Sequence, residues 1–122
     1  MDRSTRLVIK LATGIDDAER VAQAFSVAST ALAAGVEVSF WLAGEAAWLA
    51  LPGKAEEFTL AHSANLSDLL ANLVSEAQVT LCSQCAVRRN IKDGEQISGI
   101  VIAGSTSFVE EIMRAQTQAL VY

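Results

Sequence analysis

The chain has 122 residues, 52% hydrophobic and 19% charged, with a formal net charge of −5 and an isoelectric point near 4.7. That length fits one domain, residues 1–122, able to bury a core without disulfides or metal. The acidic balance excludes a broad basic face for nucleic acid or anionic lipid, and no apolar run approaches the ~20 residues of a bilayer crossing, so a soluble protein with neither nucleic-acid nor membrane partners is expected.

The N-terminus, MDRSTRLVIKLATG, passes from charge straight into a short strand pattern, with no apolar leader core before a cleavage site. A cytoplasmic location is the expectation, and thiols there are kept reduced. Residues 6–12, RLVIKLA, read as a first strand ending at Thr13-Gly14. Asp16 with Glu19 has the spacing of a capping box, and Val21, Ala24, Phe25, Ala28 and Leu32 recur at helical spacing up to Gly35. Residues 36–43, VEVSFWLA, read as a second strand, followed by a short helical piece over 45–49 that Pro52-Gly53 ends. Residues 54–65 carry no clear period and read as a connection with room for a short strand; His62 lies there.

Leu66, Leu69, Leu70, Leu73 and Val74 then form a core-facing helical stripe. QVTLC reads as the next strand, and GIVIAG, after the Asp93-Gly94 turn, as another. Ser107 with Glu110 has capping-box spacing before Phe108, Val109, Ile112 and Met113, and ALVY closes the chain as a last strand. Strands alternating with helices predict an α/β fold: one Rossmann-like domain whose mostly parallel sheet of about five strands is flanked by helices.

In open sheets of this kind, sites gather at the carboxyl ends of the strands. That rule selects the Thr13-Gly14 turn, the Ala43-Gly44 turn and the segment VTLCSQCAVRRNI, residues 79–91. If a helix starts just after Leu81, Cys82 meets the free N–H groups of its first turn, which favour the thiolate. Cys85, three residues on, falls on the same face about 5–6 Å away at Cβ, within adjustment of a disulfide. The pair can serve as attacking and resolving thiols, or be small apolar fillers of a core. Arg88 and Arg89 either meet an anionic substrate or compensate the negative end of a short helix.

Two cysteines and His62 are too few for a tetrahedral zinc site within one chain, and TGIDDAE lacks both GxGxxG and GxxxxGK[ST], with Asp16 and Asp17 set to repel phosphate. No metal and no cofactor are expected. Trp41 and Trp48 flank the Ala43-Gly44 turn, as core residues or, alternatively, as a subunit interface.

GIDDAERVAQAFSVASTALAAGVEVSFWLAGEAAWLAL resembles the first half of the DsrE/DsrF-like family, and VTLCSQCAVRRNI with SGIVIAGSTSFVEEIMRAQTQALVY resembles its second half. The resemblance implies a small Rossmann-like domain that assembles into homo-oligomers, trimers or hexamers. In the family's sulfur-relay branch it implies a cysteine that carries a persulfide between a sulfur donor protein and an acceptor. Cys82 matches that carrier, and Cys85 matches a second cysteine of some branches. Asn90 stands where relatives usually have Gly. The expected function is sulfur handling of sulfurtransferase type: Cys82 accepts and passes on persulfide sulfur, Cys85 resolves it, and Arg88, Arg89, Gly14 and Gly44 contact substrate. The alternatives are a non-catalytic oligomeric small-ligand or assembly module and a thiol-disulfide redox protein.

Overall fold

A computed structural model describes residues 5–122; residues 1–4, where the stretch read for a leader begins, lie outside the described residues. Strands β1 (Arg6–Leu11), β2 (Glu37–Leu42), β3 (Gln78–Cys82), β4 (Val101–Ala103) and β5 (Thr117–Val121) form one sheet in the order β4-β3-β2-β1-β5. Every neighbouring pair is parallel. The helices are α1 (Ala18–Ala33), α2 (Leu66–Glu76), α3 (Ser83–Arg88) and α4 (Ser105–Ile112).

The steps from β1 through β4 all move one way across the sheet, while β4 to β5 returns past the whole of it to the other edge. Because such crossovers are right-handed, the return must lie on the opposite face from the outward steps. The packing follows. Ile9, Leu11, Phe40, Leu42 and Leu81 join Val21, Phe25, Leu70, Leu73 and Cys85 in one buried cluster with α1, α2 and α3. On the other face, the Trp41 and Phe108 rings, the latter from α4, meet in a T-shaped arrangement with centroids 5.3 Å apart, and the Trp41 indole N–H donates to Glu111 at 3.1 Å. The Ser39 hydroxyl donates to the same Glu111 oxygen, which pairs a buried carboxylate with two donors. Helices on both faces explain why β2 is buried from Val38 to Leu42 instead of alternating.

Four local expectations differ. Asp17, not Asp16, caps α1, its side chain accepting from the Arg20 N–H at 3.4 Å, because Asp16 is engaged with the Gly14 N–H at 3.0 Å. Ser107 lies inside α4; the cap is Gly104, which has no side chain for the task. Residues 54–65 hold no strand but a 3₁₀ turn, Ala55–Glu57, since the sheet's edges are β4 and β5 and neither pairs with that segment. The helical piece after β2 is 3₁₀ over Gly44–Ala50, burying Ala46, Ala47, Leu49 and Ala50. Trp41 is a core residue, whereas Trp48 is partly exposed.

Asn90 has φ 54°. It sits just past the end of α3, where the Ile91 N–H reaches Ala86 O at 2.9 Å and the Asn90 N–H reaches Val87 O at 3.0 Å. These are the paired bonds of a Schellman ending. Gly35 ends α1 the same way, with φ 87°. Asn is one of the few residues that visits this conformation routinely. Asn90→Gly is therefore expected to keep full stability, and Asn90→Val to lose about 1–2 kcal/mol in denaturant unfolding.

Candidate functional site

β3 is followed by a helix on one face and β4 by a helix on the other, so the chain diverges above their carboxyl ends. Such a switch point opens the crevice in which ligands bind in open α/β sheets. Cys82 is the last residue of β3, its Cα partner is Ala103, the last of β4, and it is also the N-cap of α3. Gly104 caps α4 alongside; a Cβ there would lie 3.0 Å from the Ser83 hydroxyl oxygen. Neither helix has a formed side-chain cap bond, which leaves the first-turn N–H groups of both at the crevice.

Cys82 is partly exposed and Cys85 is buried. Partial burial works against ionising Cys82, and it is outweighed by the Cys85 thiol, the backbone N–H groups of Cys85 and Gln84, and the positive charge of Lys10. The net effect holds the Cys82 thiol below its ordinary pKa. Although Cys82 makes no formed cap bond, the helix-start donors near its sulfur favour the anion. Cys85 goes the other way: burial, the hydrogen bond it shares with Cys82 and the charge of Cys82 push its thiol up, against the Gly44 N–H and the charge of Arg89. The Gly44 N–H donates to Cys85 Sγ at 3.1 Å. The two thiols are thus shifted in opposite directions, Cys82 below the ordinary value and Cys85 above it.

The two glycine turns pack on each other. Gly44 has φ 51°, and a Cβ on it would collide with the Ala12 carbonyl oxygen; a Cβ on Gly14 would come within 2.7 Å of the Glu45 carbonyl oxygen. Glu45 is the link to α3. Its Oε2 accepts from Arg89 Nε at 3.0 Å, Arg89 Nη2 at 2.8 Å and the Trp48 indole N–H at 3.2 Å. Arg89 Nη1 donates to the Cys85 carbonyl at 3.1 Å, compensating the negative end of the short helix. Arg88 is exposed and forms no ion pair among the described residues.

His62 is exposed, with φ 59°, beside a cleft of about 570 Å³ against α1. A further cleft of about 450 Å³ at the amino edge of the sheet is lined by Arg6, Glu111 and Arg114. Neither contains a cysteine. Among the described residues, no three His, Cys, Asp or Glu side chains group as metal ligands.

Lys10 was not among the sequence candidates. Its ammonium lies 3.7 Å from the Phe108 ring centroid and 5.7 Å from that of Trp41. It carried a signal: a charge inside RLVIKLA, a strand whose apolar run implies burial on both faces.

The model of the DsrE/DsrF-like family matches residues 6–118. The chain belongs to the DsrE/DsrF-like family. Among solved structures, the fold is similar to the ychN protein of E. coli, with a TM-score of 0.77 at 17% identity over 100% of both chains. It is also similar to MTH1491 of Methanobacterium thermoautotrophicum, a protein of unknown function, with a TM-score of 0.72 at 13% identity over 99% of this chain and 100% of that one. No curated protein sequence matches. At such identities the structural likeness speaks for the fold; family membership suggests a function of the sulfur-relay type, exercised with partner proteins and in oligomers. No helix among the described residues is long and apolar enough to cross a membrane.

Gly44→Ala is expected to lower stability by about 1–3 kcal/mol through strain at a left-handed position and to speed alkylation of Cys85 in the native protein by disturbing its N–H partner. Gly94, also left-handed at φ 101° but with open space around it, serves as the control. Gly94→Ala should leave Cys85 protected, as read by thermal melts and peptide mapping after alkylation.

Proposed function

We propose that this DsrE/DsrF-like protein is a sulfur carrier of sulfurtransferase type in which Cys82 holds a persulfide. The observation that supports it most is the position of Cys82, partly open at the switch point with its thiol pKa lowered. The Cys82 thiolate attacks the outer sulfur of a donor persulfide; a bond from Cys82 to that sulfur forms, the donor's sulfur–sulfur bond breaks, and the donor thiolate leaves with the electron pair. An acceptor thiolate attacking the outer sulfur regenerates the Cys82 thiolate. Alternatively, the Cys85 thiolate attacks Cys82 Sγ and expels hydrosulfide. That route oxidises the two thiols to a disulfide, which a cellular thiol must reduce. The raised pKa of Cys85 makes it the slower nucleophile of the pair, which leaves Cys82 as the first to meet a donor.

In this reading the glycines and Arg89 act by different means. Gly14 and Gly44 let the turns bordering the crevice approach one another, Arg89 fixes the end of α3, and Arg88, exposed beside Ser83, Gln84 and Val87, is the guanidinium open to an anionic partner. Self-association would use the α4 face, where Val109, Met113 and, on the edge strand, Val101 are exposed. Apolar exposure of that kind marks interaction surfaces. Met113→Glu with Val109→Asp is expected to shift sedimentation toward the monomer, whereas unchanged sedimentation would remove this face from any trimer or hexamer.

Incubation with a persulfide donor should add one sulfur, about 32 Da by the chemistry of the persulfide adduct, to Cys82. Mass spectrometry should find no such adduct in Cys82→Ser. An unmodified wild-type protein would contradict the carrier reading. Formation of only a Cys82–Cys85 disulfide would point to thiol-disulfide redox chemistry instead.

A further inference from the structure

The sheet face that carries Cys82 also carries a charge that sulfur carriage by a thiol does not itself require. Lys10, Trp41 and Thr80 stand level across β1, β2 and β3, and side chains two apart on a strand share a face, so Lys10 and Cys82 project from the same face of the sheet, the face that α4 covers. Two strand spacings and two residues of rise separate their Cα atoms by about 12 Å, a gap that a four-carbon lysine stem is long enough to narrow.

The positive potential on this face has two sources, Lys10 and the start of α4. Its ammonium rests 3.7 Å from the centre of the Phe108 ring, a cation–π seat that fixes the charge without neutralising it. Among the described residues it has no ion-pair partner, and the acid that reaches the Trp41 indole on this face, Glu111, is engaged by Ser39 and Trp41. Finally, α4, which supplies Phe108, begins at Gly104 beside Cys82 with no side-chain cap, so its first-turn N–H groups add positive potential on the same side of the thiol.

We propose that Lys10 is a specificity-determining residue that makes the Cys82 crevice selective for anionic reaction partners over neutral ones. The proposal deepens the sulfur-carrier reading by assigning its small-molecule or protein donors a negative charge near the transferred sulfur. Lys10 acts through the field at the crevice, and Phe108 is its positioning residue.

The test needs no sulfur donor, so its outcome is separable from that of the carrier reading. Rates of alkylation of Cys82 by iodoacetate, which is anionic, and by iodoacetamide, which is neutral, are measured at one pH and low salt and assigned to Cys82 by peptide mapping. Both reagents consume the same thiolate, so the thiolate fraction cancels in their rate ratio and the ratio reports the field that meets the reagent. Lys10→Met is expected to lower the iodoacetate-to-iodoacetamide ratio about threefold to fivefold, the size of one unit charge acting at this range in a partly solvated site. Lys10→Arg should restore it, and added salt should reduce the wild-type ratio toward that of Lys10→Met. Circular dichroism melts of each variant report whether it is folded, and Phe108→Leu, which removes the ring and keeps the charge, is expected to lower the ratio by a smaller factor. An unchanged ratio in folded Lys10→Met, or a loss that Lys10→Arg fails to restore, would overturn the proposal.

Discussion

The constraint on which this protein turns is the handedness of its crossovers. Four strands advance in one direction and the fifth is reached by going back, so α3 and α4 must leave neighbouring strands toward opposite faces. The backbone cannot close over the point where they part. Cys82 stands there, sharing the end of a register with Ala103, packed against the rim of the core but left partly exposed beside helix-start donors. Without the return step, α4 would lie on the face of α1 and α2, and both the crevice and the Lys10 seat beneath Phe108 would be lost.

Around that point the structure separates two chemically identical side chains. Cys82 sits before the first turn of α3, where N–H groups point outward; Cys85 sits one turn in, packed in the core cluster and held by the Gly44 N–H. Desolvation acts on both, but only Cys82 has enough compensating donors and positive charge to fall below the ordinary thiol value. The partition depends on the turns around it. Gly44 must lack a Cβ to pass the Ala12 carbonyl and present its N–H to Cys85, and the Arg89–Glu45 pair ties the turn after β2 to the end of α3. With Glu45 more than half exposed at its side chain, that pair contributes geometry more than stability.

Much of this was legible in the sequence because the signals were local. The five apolar runs, the helical stripe from Leu66 to Val74 and Gly35 as a stop each depend on neighbours within a turn or a strand, and each corresponds to an element observed. The caps were less legible: Asp16 and Asp17 compete for the same helix start, and which one wins depends on the Gly14 N–H, a contact set by the turn. Ser107 has the right spacing but lies within the first turn of α4, because the strand ends at Ala103 and the helix begins at once. The cysteine pair and its place after β3 could be read from residue order; the unequal fates of its two thiols could not, since Gly44 lies 41 residues from Cys85. Lys10 went unread for the same reason: its partners, Phe108 and Trp41, come from α4 and β2.

The most direct test is the native alkylation rate of each thiol as a function of pH, followed separately by peptide mapping in one sample. The account predicts that Cys82 titrates below an ordinary cysteine and reacts readily near neutral pH, while Cys85 titrates above it and stays protected until the chain unfolds. Coincident curves for the two thiols, or a Cys82 that reacts only after denaturation, would contradict it.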